Sequence, residues 1–473
     1  MNTTLKKKDT ILDNDNIVLL CEKKKDFLNY NFSKKELTYI KREWDTDKKI
    51  IKINQYNRFV FIVIYSKNQA DKNLEYIRNL GNKAQELCQN ISTVTIVNTN
   101  KNKSITLAMA EGMALANYKF LKHKSSKTKT QLNTIYIYKN IQNKYILELQ
   151  NIIDAVYMTR NMVNEPFSHL KAEDLALIAK KAGENSGYKT IIYRKKKIMS
   201  MKMGGILAVN KGSIDGPTFT IMEWKPKKTT NKNPIILVGK GVVFDTGGLS
   251  LKPTKNSMDL MKIDMGGAGT VIGAMYCIAK NKLPVHVIGL NPATDNRPGG
   301  NAYAPGDVVT MYDGTKVEVL NTDAEGRMLL ADALSFAKKY KPELVIDIAT
   351  LTGSAAATIG HFGMVSMQKD AMEFHEKLKD AGKATHERLA ELPFWSEYDE
   401  LLNSDIADIK NIGGSFAGAI TAGKFLSHFT KYPWIHIDLS CVYSPNKYSY
   451  RGKGATGMGV RLIYEFIKQR SNE

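Results

Sequence analysis

Cysteine and long hydrophobic runs are both scarce in this sequence. The 473 residues include four cysteines, and these are widely separated and form no CxxC pair: Cys21, Cys88, Cys277 and Cys441. Such scatter favours reduced thiols over a disulfide framework or a cysteine-based metal site. The longest apolar runs, such as residues 59–65 and 234–238, are far shorter than the ~20 residues that span a bilayer. We therefore expect no membrane segment.

Two further absences narrow the class of protein. Residues 1–9 lack the apolar stretch of a secretory signal peptide, so we expect a cytoplasmic protein. Glycines surround Lys240, as in a phosphate-binding loop, but the order G-x-x-x-x-G-K-[ST] is missing. The competing interpretation makes the nearby Asp245 a ligand and the glycines room for a closely approaching backbone.

Negative charge is scarce in the N-terminal third of the chain. The net charge is +21, and residues 1–150 carry 27 Lys and Arg against 14 Asp and Glu. Residues 251–473 carry 25 charges of each sign. A basic segment can indicate a nucleic-acid partner, so DNA binding is an alternative or additional role. The simpler interpretation, which we prefer, is a solvated lysine-rich surface.

The pattern of apolar segments predicts two α/β domains. We place a smaller basic domain of unclear role at residues 1–145, a connecting helix at 146–165 and a larger domain at 166–473. From Pro234 onward, short apolar segments alternate with helical ones, which is typical of a mainly parallel central sheet covered by helices. The candidate strands are 235–238, 285–290, 344–348 and 434–439, and the candidate helices are 266–282, 328–340 and 417–430.

The stretch Asn321–Arg327 carries the densest chemistry. Asp323 and Glu325 are two positions apart, so in an extended or turning backbone they point to the same side and can converge on one cation. Gly326 can turn the chain, and Arg327 falls at the start of a predicted helix, where an anion is favoured. Taken alone, the stretch is equally compatible with a charged, solvated turn.

Two further carboxylates come just after a predicted strand or just before a predicted helix. Asp245 follows a glycine-rich segment, and Asp264 precedes a helix, as either an N-cap or a metal-facing group. With Asp323 and Glu325 they make four carboxylates that would repel one another unless cations neutralised them. Oxygen-rich ligation without cysteine suits Mg²⁺, Mn²⁺ or Zn²⁺, and two such ions ~3.5–4 Å apart are a common device for hydrolysis.

Three motifs together resemble the leucine aminopeptidase family. They are Lys240-Gly-Val-Val-Phe-Asp245, Asp264-Met-Gly-Gly and Asn321-Thr-Asp-Ala-Glu-Gly-Arg327. The resemblance covers roughly residues 155–470 and implies a cytosolic metallo-aminopeptidase that assembles as a homohexamer. Its substrates would be peptides with a free N-terminus, with Leu and other hydrophobic residues preferred. The first 150 residues carry no recognisable motif.

The resemblance also implies a set of cofactors and ligands. The cofactors would be two divalent metal ions, Mn²⁺ or Zn²⁺ with Mg²⁺ or Co²⁺ as alternatives, and a bicarbonate ion that acts as general base. The residues that match the metal ligands are Lys240, Asp245, Asp264, Asp323 and Glu325. Asp245 and Glu325 would bridge the two metals, Lys240 and Asp264 would complete the tighter site, and Asp323 would serve the more exchangeable one.

Further site residues follow from the same resemblance. Lys252 would stabilise the oxyanion, and Arg327 would hold the bicarbonate with help from the backbone of Leu351. The positions that match the family's side-chain pocket are Met261, Thr350 and Gly353. His286, His361 and His436 lie outside these motifs, and we interpret them as structural or surface residues.

Two departures from the family pattern stand out. The segment between Asp245 and Asp264 is about one residue longer than usual, which we interpret as a loop difference. Ser440 and Cys441 occupy positions where Ala-Gly is usual, which affects pocket or interface detail. A non-catalytic scaffold is a third hypothesis, but clustered carboxylates would destabilise a fold that binds no cation.

Overall fold

The computed structural model describes residues 3–28, 30–88, 90–125, 132–139 and 141–471. It divides into two compact units, Met1–Tyr157 with Asn446–Lys453, and Met158–Pro445 with Gly454–Glu473. A continuous helix of 22 residues occupies Asn143–Asn164, where the sequence predicts a connecting helix. The predicted domain limits themselves stay a prediction. The described residues include no helix that is long and apolar enough to cross a membrane.

The first unit is built on a mainly parallel sheet. Its strands are β1 Thr4–Lys8, β2 Ile17–Cys21, β3 Ile50–Asn54, β4 Phe59–Ile64, β5 Thr93–Asn98 and β6 Thr134–Tyr138. The helices are α1 Lys25–Leu28, α2 Lys34–Trp44, α3 Lys67–Lys72, α4 Glu75–Leu87 and α5 Lys103–Ala116, and α6 Asn143–Asn164 begins in this unit and continues past its limit at Tyr157. The strand order is β1-β6-β5-β2-β4-β3, with β3 antiparallel to β4. β2 is apolar and buried along its whole length, as expected of a central parallel strand.

The second unit contains the larger sheet and its covering helices. Its helices are α7 Ala172–Ser186, α8 Lys195–Ser200, α9 Gly204–Asn210, α10 Gly266–Lys280, α11 Glu325–Ala337, α12 Gly353–Ile359, α13 Met372–Thr385, α14 Glu397–Glu400, α15 Gly418–His428 and α16 Val460–Arg470. Its longer strands are β7 Lys189–Arg194, β8 Thr218–Trp224, β9 Ile235–Gly239, β10 Gly241–Asp245, β11 Val287–Asn296, β14 Leu344–Ala349, β15 Met364–Lys369 and β18 Trp434–Asp438. The short strands are β12 Val308–Thr310, β13 Lys316–Glu318, β16 Leu389–Glu391, β17 Ile409–Lys410, β19 Tyr443–Ser444 and β20 Gly454–Ala455.

The topology of the larger sheet brings several strand ends to one edge. Its order is β16-β15-β18-β14-β9-β11-β8-β7, and β10 adds to β11. The pairs β18–β14, β14–β9, β9–β11 and β10–β11 are all parallel, so their carboxyl ends lie on the same side. Apolar side chains of β9, β11 and α11, among them Ile236, Leu290 and Leu330, pack into one core beneath that edge. The predicted parallel α/β architecture is confirmed.

Strand β11 differs from the prediction in an informative way. The sequence predicts a strand over 285–290, whereas β11 continues to Asn296. Asn291, Asp295 and Asn296 interrupt the apolar run, yet each is at most 3% exposed. Their side-chain nitrogens and carboxylate find partners, such as the carbonyl of Ala268 for Asn291 Nδ2, although the Oδ1 atoms of Asn291 and Asn296 have no hydrogen-bond partner among the described residues. A hydrophobic pattern cannot reveal such a strand, because its buried residues are polar.

A candidate metal centre at the carboxyl edge of the sheet

Three of the candidate residues come directly from the ends of neighbouring strands. Lys240 follows β9, Asp245 is the last residue of β10, and Thr350 follows β14. Because these strands are parallel, the three residues reach the same edge of the sheet, where open α/β sheets usually bind ligands. Lys240 Nζ donates to the Thr350 carbonyl at 2.9 Å, which joins two of these strand ends.

The stretch Asn321–Arg327 forms a turn followed by the first turn of α11. The Asp323 N–H donates to Asn321 Oδ1 at 2.8 Å, which closes the turn locally. Glu325 begins α11, and Arg327 is its third residue. Gly326 faces the Lys240 side chain so closely that a Cβ atom there would lie 2.7 Å from Lys240 Nζ. A side chain at this position would therefore force the Lys240 side chain to move.

Asp264 is placed by a different element. It lies in a 3₁₀ segment, Met258–Met265, immediately before α10. Its carboxylate does not cap α10, so the N-cap interpretation is wrong. Asp264 Oδ1 accepts hydrogen bonds from Lys240 Nζ and from Thr350 Oγ1, both at 2.8 Å. Asp264 therefore faces the same space as the strand-end residues.

The carboxylates converge in two overlapping groups. Asp245, Asp323 and Glu325 each offer an oxygen, and these oxygens lie within 4.8 Å of one another. Lys240 Nζ lies 2.9 Å from Glu325 Oε1 and 2.7 Å from Asp264 Oδ2, which brings Asp264 into the neighbourhood. Glu325 belongs to both groups. The structure thus brings Asp245, Asp323 and Glu325 together, and Lys240 links Asp264 to them, while their role as metal ligands stays a prediction.

Lys252 lies on the other side of this cluster. Its Nζ is 3.0 Å from Asp245 Oδ2 and is also paired with Asp323. The backbone of the loop brings it there, since the Lys252 N–H donates to the carbonyl of Thr246 at 2.9 Å. The two lysines thus flank the carboxylates, and both are at least half-buried.

Three buried oxygens of the cluster lack hydrogen bonds in the part of the chain that the structure describes. Asp264 Oδ2, Asp323 Oδ1 and Glu325 Oε1 are buried and accept no hydrogen bond from the described residues. Each of these atoms is close to a lysine ammonium, but outside hydrogen-bond geometry. Buried polar atoms are normally satisfied, so these oxygens indicate missing partners. Hard divalent cations prefer such oxygen ligands, so the residues present fit a metal centre.

Comparison with known proteins agrees with this geometry. Residues 157–464 match the model of the cytosol aminopeptidase family, catalytic domain. A protein named "probable cytosol aminopeptidase" from Chlorobaculum tepidum is 44% identical over 375 residues, which span 76% of this chain and 74% of that protein. A protein with the same name from Chlorobium luteolum is 49% identical over 322 residues, which span 67% of this chain and 62% of that protein.

Solved structures extend the similarity to nearly the whole chain. The bottromycin maturation enzyme BotP in complex with Mn has a TM-score of 0.85 and 25% sequence identity, and the match covers 97% of this chain and 100% of BotP. A tomato leucine aminopeptidase variant has a TM-score of 0.84 and 26% identity, with 99% and 97% covered. The chain belongs to the cytosol aminopeptidase family. It is therefore a hydrolase of the aminopeptidase type, and its catalysis depends on metal.

Crowding of negative charge perturbs the acids of this aminopeptidase. Burial, together with Asp245 and Glu325, raises the pKa of Asp323 to about 7, although Lys252 opposes the shift. Burial also raises the pKa of Asp264 well above its ordinary value, against the pull of Lys240. Such shifts are expected when like charges share a water-poor site and no metal neutralises them.

The pKa values of the two lysines are raised as well, which favours the charged form of each lysine. Burial disfavours the charged form of Lys240, but Asp264, Glu325 and Asp245 outweigh it and raise the pKa of Lys240. The pKa of Lys252 is raised in the same way by Asp245, Glu325 and Asp323. In the metal-free protein both lysines are therefore ammonium ions that partly balance the carboxylates.

Arg327 is buried beside this cluster with one of its donors unused. Burial lowers the pKa of Arg327 to about 10, while Glu325, Asp438 and Asp323 oppose the shift. Its NH1 group donates to the carbonyl of Asn411 at 2.6 Å. Its Nε is buried and has no hydrogen-bond partner among the described residues. The guanidinium is thus held on one side and has an unsatisfied donor on another.

The predicted pocket and anion residues lie close to the same edge. Thr350 contacts Asp264 directly, so it supports a carboxylate as well as being a candidate for the pocket wall. Gly353 begins α12, and a Cβ atom there would meet no other atom within 4 Å. Met261 is half-buried in the 3₁₀ segment that carries Asp264. The Leu351 N–H donates to Asp438 Oδ1 at 3.0 Å, so its contact with an anion stays a prediction.

Two of the three histidines have contacts that support a structural interpretation. His436 Nδ1 lies 2.6 Å from Asp347 Oδ1, and both residues are fully buried. His286 Nε2 lies 2.9 Å from Glu223. His361 is half-buried, and its Nδ1 has no hydrogen-bond partner in the part of the chain that the structure describes.

Sequence reasoning missed the residues that brace the two catalytic loops. Asn296 Nδ2 donates to Asp245 Oδ1 at 2.8 Å and to the Thr322 carbonyl at 3.0 Å. Thr322 Oγ1 donates to the Gly247 carbonyl at 2.7 Å, and Tyr303 Oη donates to the Thr322 carbonyl at 2.9 Å. These polar residues join the loop after β10 to the turn before α11. Asn296 and Asp245 are paired in the adjacent strands β11 and β10. The contact between them could have been predicted from the sequence only if the register of these two strands had been known.

Proposed function

We propose that this chain is a two-metal aminopeptidase that releases N-terminal residues from peptides, with leucine and other hydrophobic residues preferred. The observation that carries the proposal is the convergence of Asp245, Asp323 and Glu325, with Asp264 and Lys240 alongside. Two lysine ammonium groups offset only part of the charge of these four carboxylates, which supports the binding of additional cations.

The proposal assigns these residues to two overlapping metal positions. Lys240 and Asp264 lie together and would complete one position, and Asp323 would serve the other, with Asp245 and Glu325 shared between them. Lys240 must lose its proton to act as a ligand, and an adjacent dication would lower its pKa enough to allow this. Mn²⁺ and Zn²⁺ are the preferred ions, with Mg²⁺ and Co²⁺ as alternatives. The ions would polarise the scissile carbonyl and activate water.

The other charged residues would act on the substrate. Lys252 is held beside Asp245 and Asp323 and would stabilise the negative charge that develops on the carbonyl oxygen. A free α-amine would bind near Asp264, which explains a requirement for an unblocked N-terminus. Met261, Thr350 and Gly353 would line the side-chain pocket. Apolar pockets discriminate by only about 1–3 kcal/mol per methylene, so specificity should be broad.

Arg327 would hold the bicarbonate ion that acts as general base. The unpartnered Nε of Arg327 supports this, because a buried guanidinium donor requires an acceptor. An anion at this position would also lie at the N-terminal end of α11, where helix peptide dipoles favour negative charge. The contribution of Leu351 would come from its backbone.

The decisive experiment combines metal analysis of the purified protein with a panel of peptides that differ in their first residue. We expect Mn²⁺ or Zn²⁺ to activate cleavage of leucyl peptides, a chelator to abolish it, and acetylated peptides to be inert. Asp323→Ala and Glu325→Ala should each lose activity while the circular dichroism spectrum is retained. Full activity in either variant, or cleavage of acetylated peptides, would contradict the proposal.

The assembly and location of the enzyme are also proposed. The proposal for the assembly follows from membership of the cytosol aminopeptidase family and from the resemblance described above. We expect a homohexamer in the cytoplasm. Analytical ultracentrifugation should give the mass of six chains rather than the 53.0 kDa of one. A monomer at micromolar concentration would rule the hexamer out.

DNA binding is a second candidate role, independent of catalysis. Its basis is the surplus of positive charge in residues 1–150, part of which lies on α2, where Lys34, Lys35 and Lys41 are exposed. Mobility shift of duplex DNA should then weaken steeply as salt increases. Absence of a shift at low salt would dismiss this role and leave the aminopeptidase proposal intact.

A further inference from the structure

Asn411 is a fully buried residue that sequence reasoning did not single out. It follows β17, which pairs in parallel with β13, and its N–H extends this ladder by donating to the Glu318 carbonyl at 2.9 Å. Beyond Glu318 the chain leaves the ladder and enters the catalytic turn. At that point the side chain of Asn411 takes over the role of a strand partner.

The side chain of Asn411 holds the entry to the catalytic turn. Its Oδ1 accepts hydrogen bonds from the N–H groups of Leu320, at 2.8 Å, and Asn321, at 3.3 Å. Its Nδ2 donates to the Asn321 carbonyl at 2.7 Å. Asn321 in turn accepts from the Asp323 N–H through its own side chain. The position of the Asp323 carboxylate therefore depends on Asn411 through one intermediate residue.

The backbone of Asn411 holds the other end of the same turn. Its carbonyl accepts from Arg327 NH1 at 2.6 Å, and this is the only hydrogen bond of the guanidinium that the described residues provide. One residue thus contacts both Asn321 and Arg327, which lie on either side of the carboxylates Asp323 and Glu325. Because one residue bonds to both ends, it restrains the two ends of the turn relative to each other.

We propose that Asn411 is the positioning residue of the catalytic turn Asn321–Arg327, which it presents to the metal and anion positions in one fixed arrangement. It does not touch the reacting atoms. Supporting residues around a metal centre commonly change metal affinity roughly 10–100-fold when they are removed. The proposal rests on the proposed two-metal function at this site and adds a residue to it.

A buried asparagine elsewhere in the same unit provides a matched control. Asn231 also makes three side-chain hydrogen bonds to the backbone, two donated to the carbonyls of Asn233 and His286 and one accepted from the His286 N–H. It lies beside the amino ends of β9 and β11, opposite the edge that carries the carboxylates. Asn231→Ala therefore removes a comparable set of hydrogen bonds without touching the catalytic turn.

The test measures Mn²⁺ affinity by calorimetric titration of the metal-free protein, together with kcat, KM and the thermal midpoint. Both Asn411→Ala and Asn231→Ala should lower the midpoint. We expect Asn411→Ala alone to weaken Mn²⁺ binding by roughly tenfold or more and to lower kcat, with KM for a leucyl peptide little changed. Asn411→Asp keeps the acceptor but loses the donor to Asn321, so it should weaken Mn²⁺ binding in the same direction.

Each outcome has a definite meaning. If the wild-type protein binds neither Mn²⁺ nor Zn²⁺ in the same titration, the proposed function fails, whatever the variant does; if it binds only Zn²⁺, the comparison of variants is made with Zn²⁺. If the wild type binds Mn²⁺ and Asn411→Ala binds it equally well with unchanged kcat, then Asn411 is merely structural and the positioning proposal is overturned. Should Asn411→Ala fail to fold, Asn411→Asp carries the same comparison. Additive losses of Mn²⁺ affinity in an Asn321→Ala, Asn411→Ala double-mutant cycle would also contradict a route through Asn321.

Discussion

At the scale of single residues, charge balance explains much of the candidate site. Four carboxylates share a buried space with Lys240 and Lys252, and each lysine contacts two of them. The lysines differ in exposure, since the Lys240 side chain is 4% exposed and that of Lys252 is 15% exposed. This difference fits a ligand role for the first and a substrate-facing role for the second.

Replacement of Lys252 by Met should therefore reduce turnover while metal binding survives. Loss of one donor to a developing oxyanion typically costs on the order of 10²–10³ in kcat. Lys255 lies three residues further along the same loop and is exposed, so Lys255→Met is the matched control. Steady-state kinetics together with metal analysis would check the expectation. Unchanged kcat in Lys252→Met would remove this residue from the mechanism.

Asp332 supplies a pH effect on stability that is separate from catalysis. It is fully buried in α11 and accepts hydrogen bonds from the N–H groups of Ile206 and Tyr312, both at 2.9 Å. Burial raises its pKa to about 7, although these hydrogen bonds oppose the shift. In the unfolded chain the pKa returns to about 4. Between these values the folded state holds a proton that the unfolded state has lost.

The free energy of unfolding that Asp332 contributes is thus present at low pH and is lost as pH rises from about 4 through about 7. Each pKa unit corresponds to about 1.4 kcal/mol, so the loss approaches about 4 kcal/mol. Asp332→Asn cannot titrate and should abolish this component. Denaturant unfolding of both proteins between pH 5 and 8 should show the wild type losing stability relative to the variant. Parallel pH profiles would disprove the assignment.

At the scale of elements, the close approach of α11 to the end of β9 decides how the site forms. Gly326 lies in the first turn of α11 against the Lys240 side chain. The Lys240 side chain occupies the space that a Cβ atom at position 326 would fill. Polar residues then lock the neighbouring loops together, with Asn296 at the end of β11 bonded to both Asp245 and Thr322.

Gly326→Ala should displace Lys240 from the carboxylates. Overpacking of this kind typically destabilises a protein by about 1–3 kcal/mol, and we expect the loss of activity to be larger than the stability change explains. Gly216→Ala is the control, because a Cβ atom at that exposed position meets nothing within 4 Å. Thermal unfolding and kcat would be measured for both. Normal activity in Gly326→Ala would show that Lys240 can reach the site by another path.

At the scale of the whole molecule, repulsion among the clustered carboxylates lowers the free energy of unfolding of the metal-free protein. Asp264 and Asp323 both have raised pKa values, which reports repulsion and burial that a bound cation would relieve. A ligand that binds only the folded state stabilises it by about 2.7 kcal/mol at a concentration of 100 times Kd.

Addition of Mn²⁺ to the chelated protein should accordingly raise its thermal midpoint, and the rise should grow with Mn²⁺ concentration. Glu325→Ala should lose most of the rise, because Glu325 belongs to both groups of carboxylates. Differential scanning calorimetry would check both expectations. An equal rise in the wild type and in Glu325→Ala would place the stabilising ion elsewhere.

The sequence by itself determined the α/β class and a mainly parallel main sheet, and its motifs named the acids and lysines that the structure brings together. Strands and helices bury residues at a regular spacing, so the residue pattern indicates them. Clustered carboxylates repel one another unless a cation neutralises them, so the motif carboxylates indicate a metal site. The sequence also placed Asp245 and Asp264 just after a predicted strand or just before a predicted helix. It did not predict the polar end of β11, because Asn291 and Asn296 interrupt the apolar run that identifies a buried strand.

Only the tertiary structure decided which uncharged polar residues support the chemistry. Asn411 lies 90 residues from Asn321, and Asn296 lies 51 residues from Asp245, so no local pattern relates them. An asparagine in a loop is an ordinary surface residue until the fold buries it against unsatisfied backbone groups. Hydrogen bonding is directional and short-ranged, so the roles of these residues follow from three-dimensional register and not from residue type.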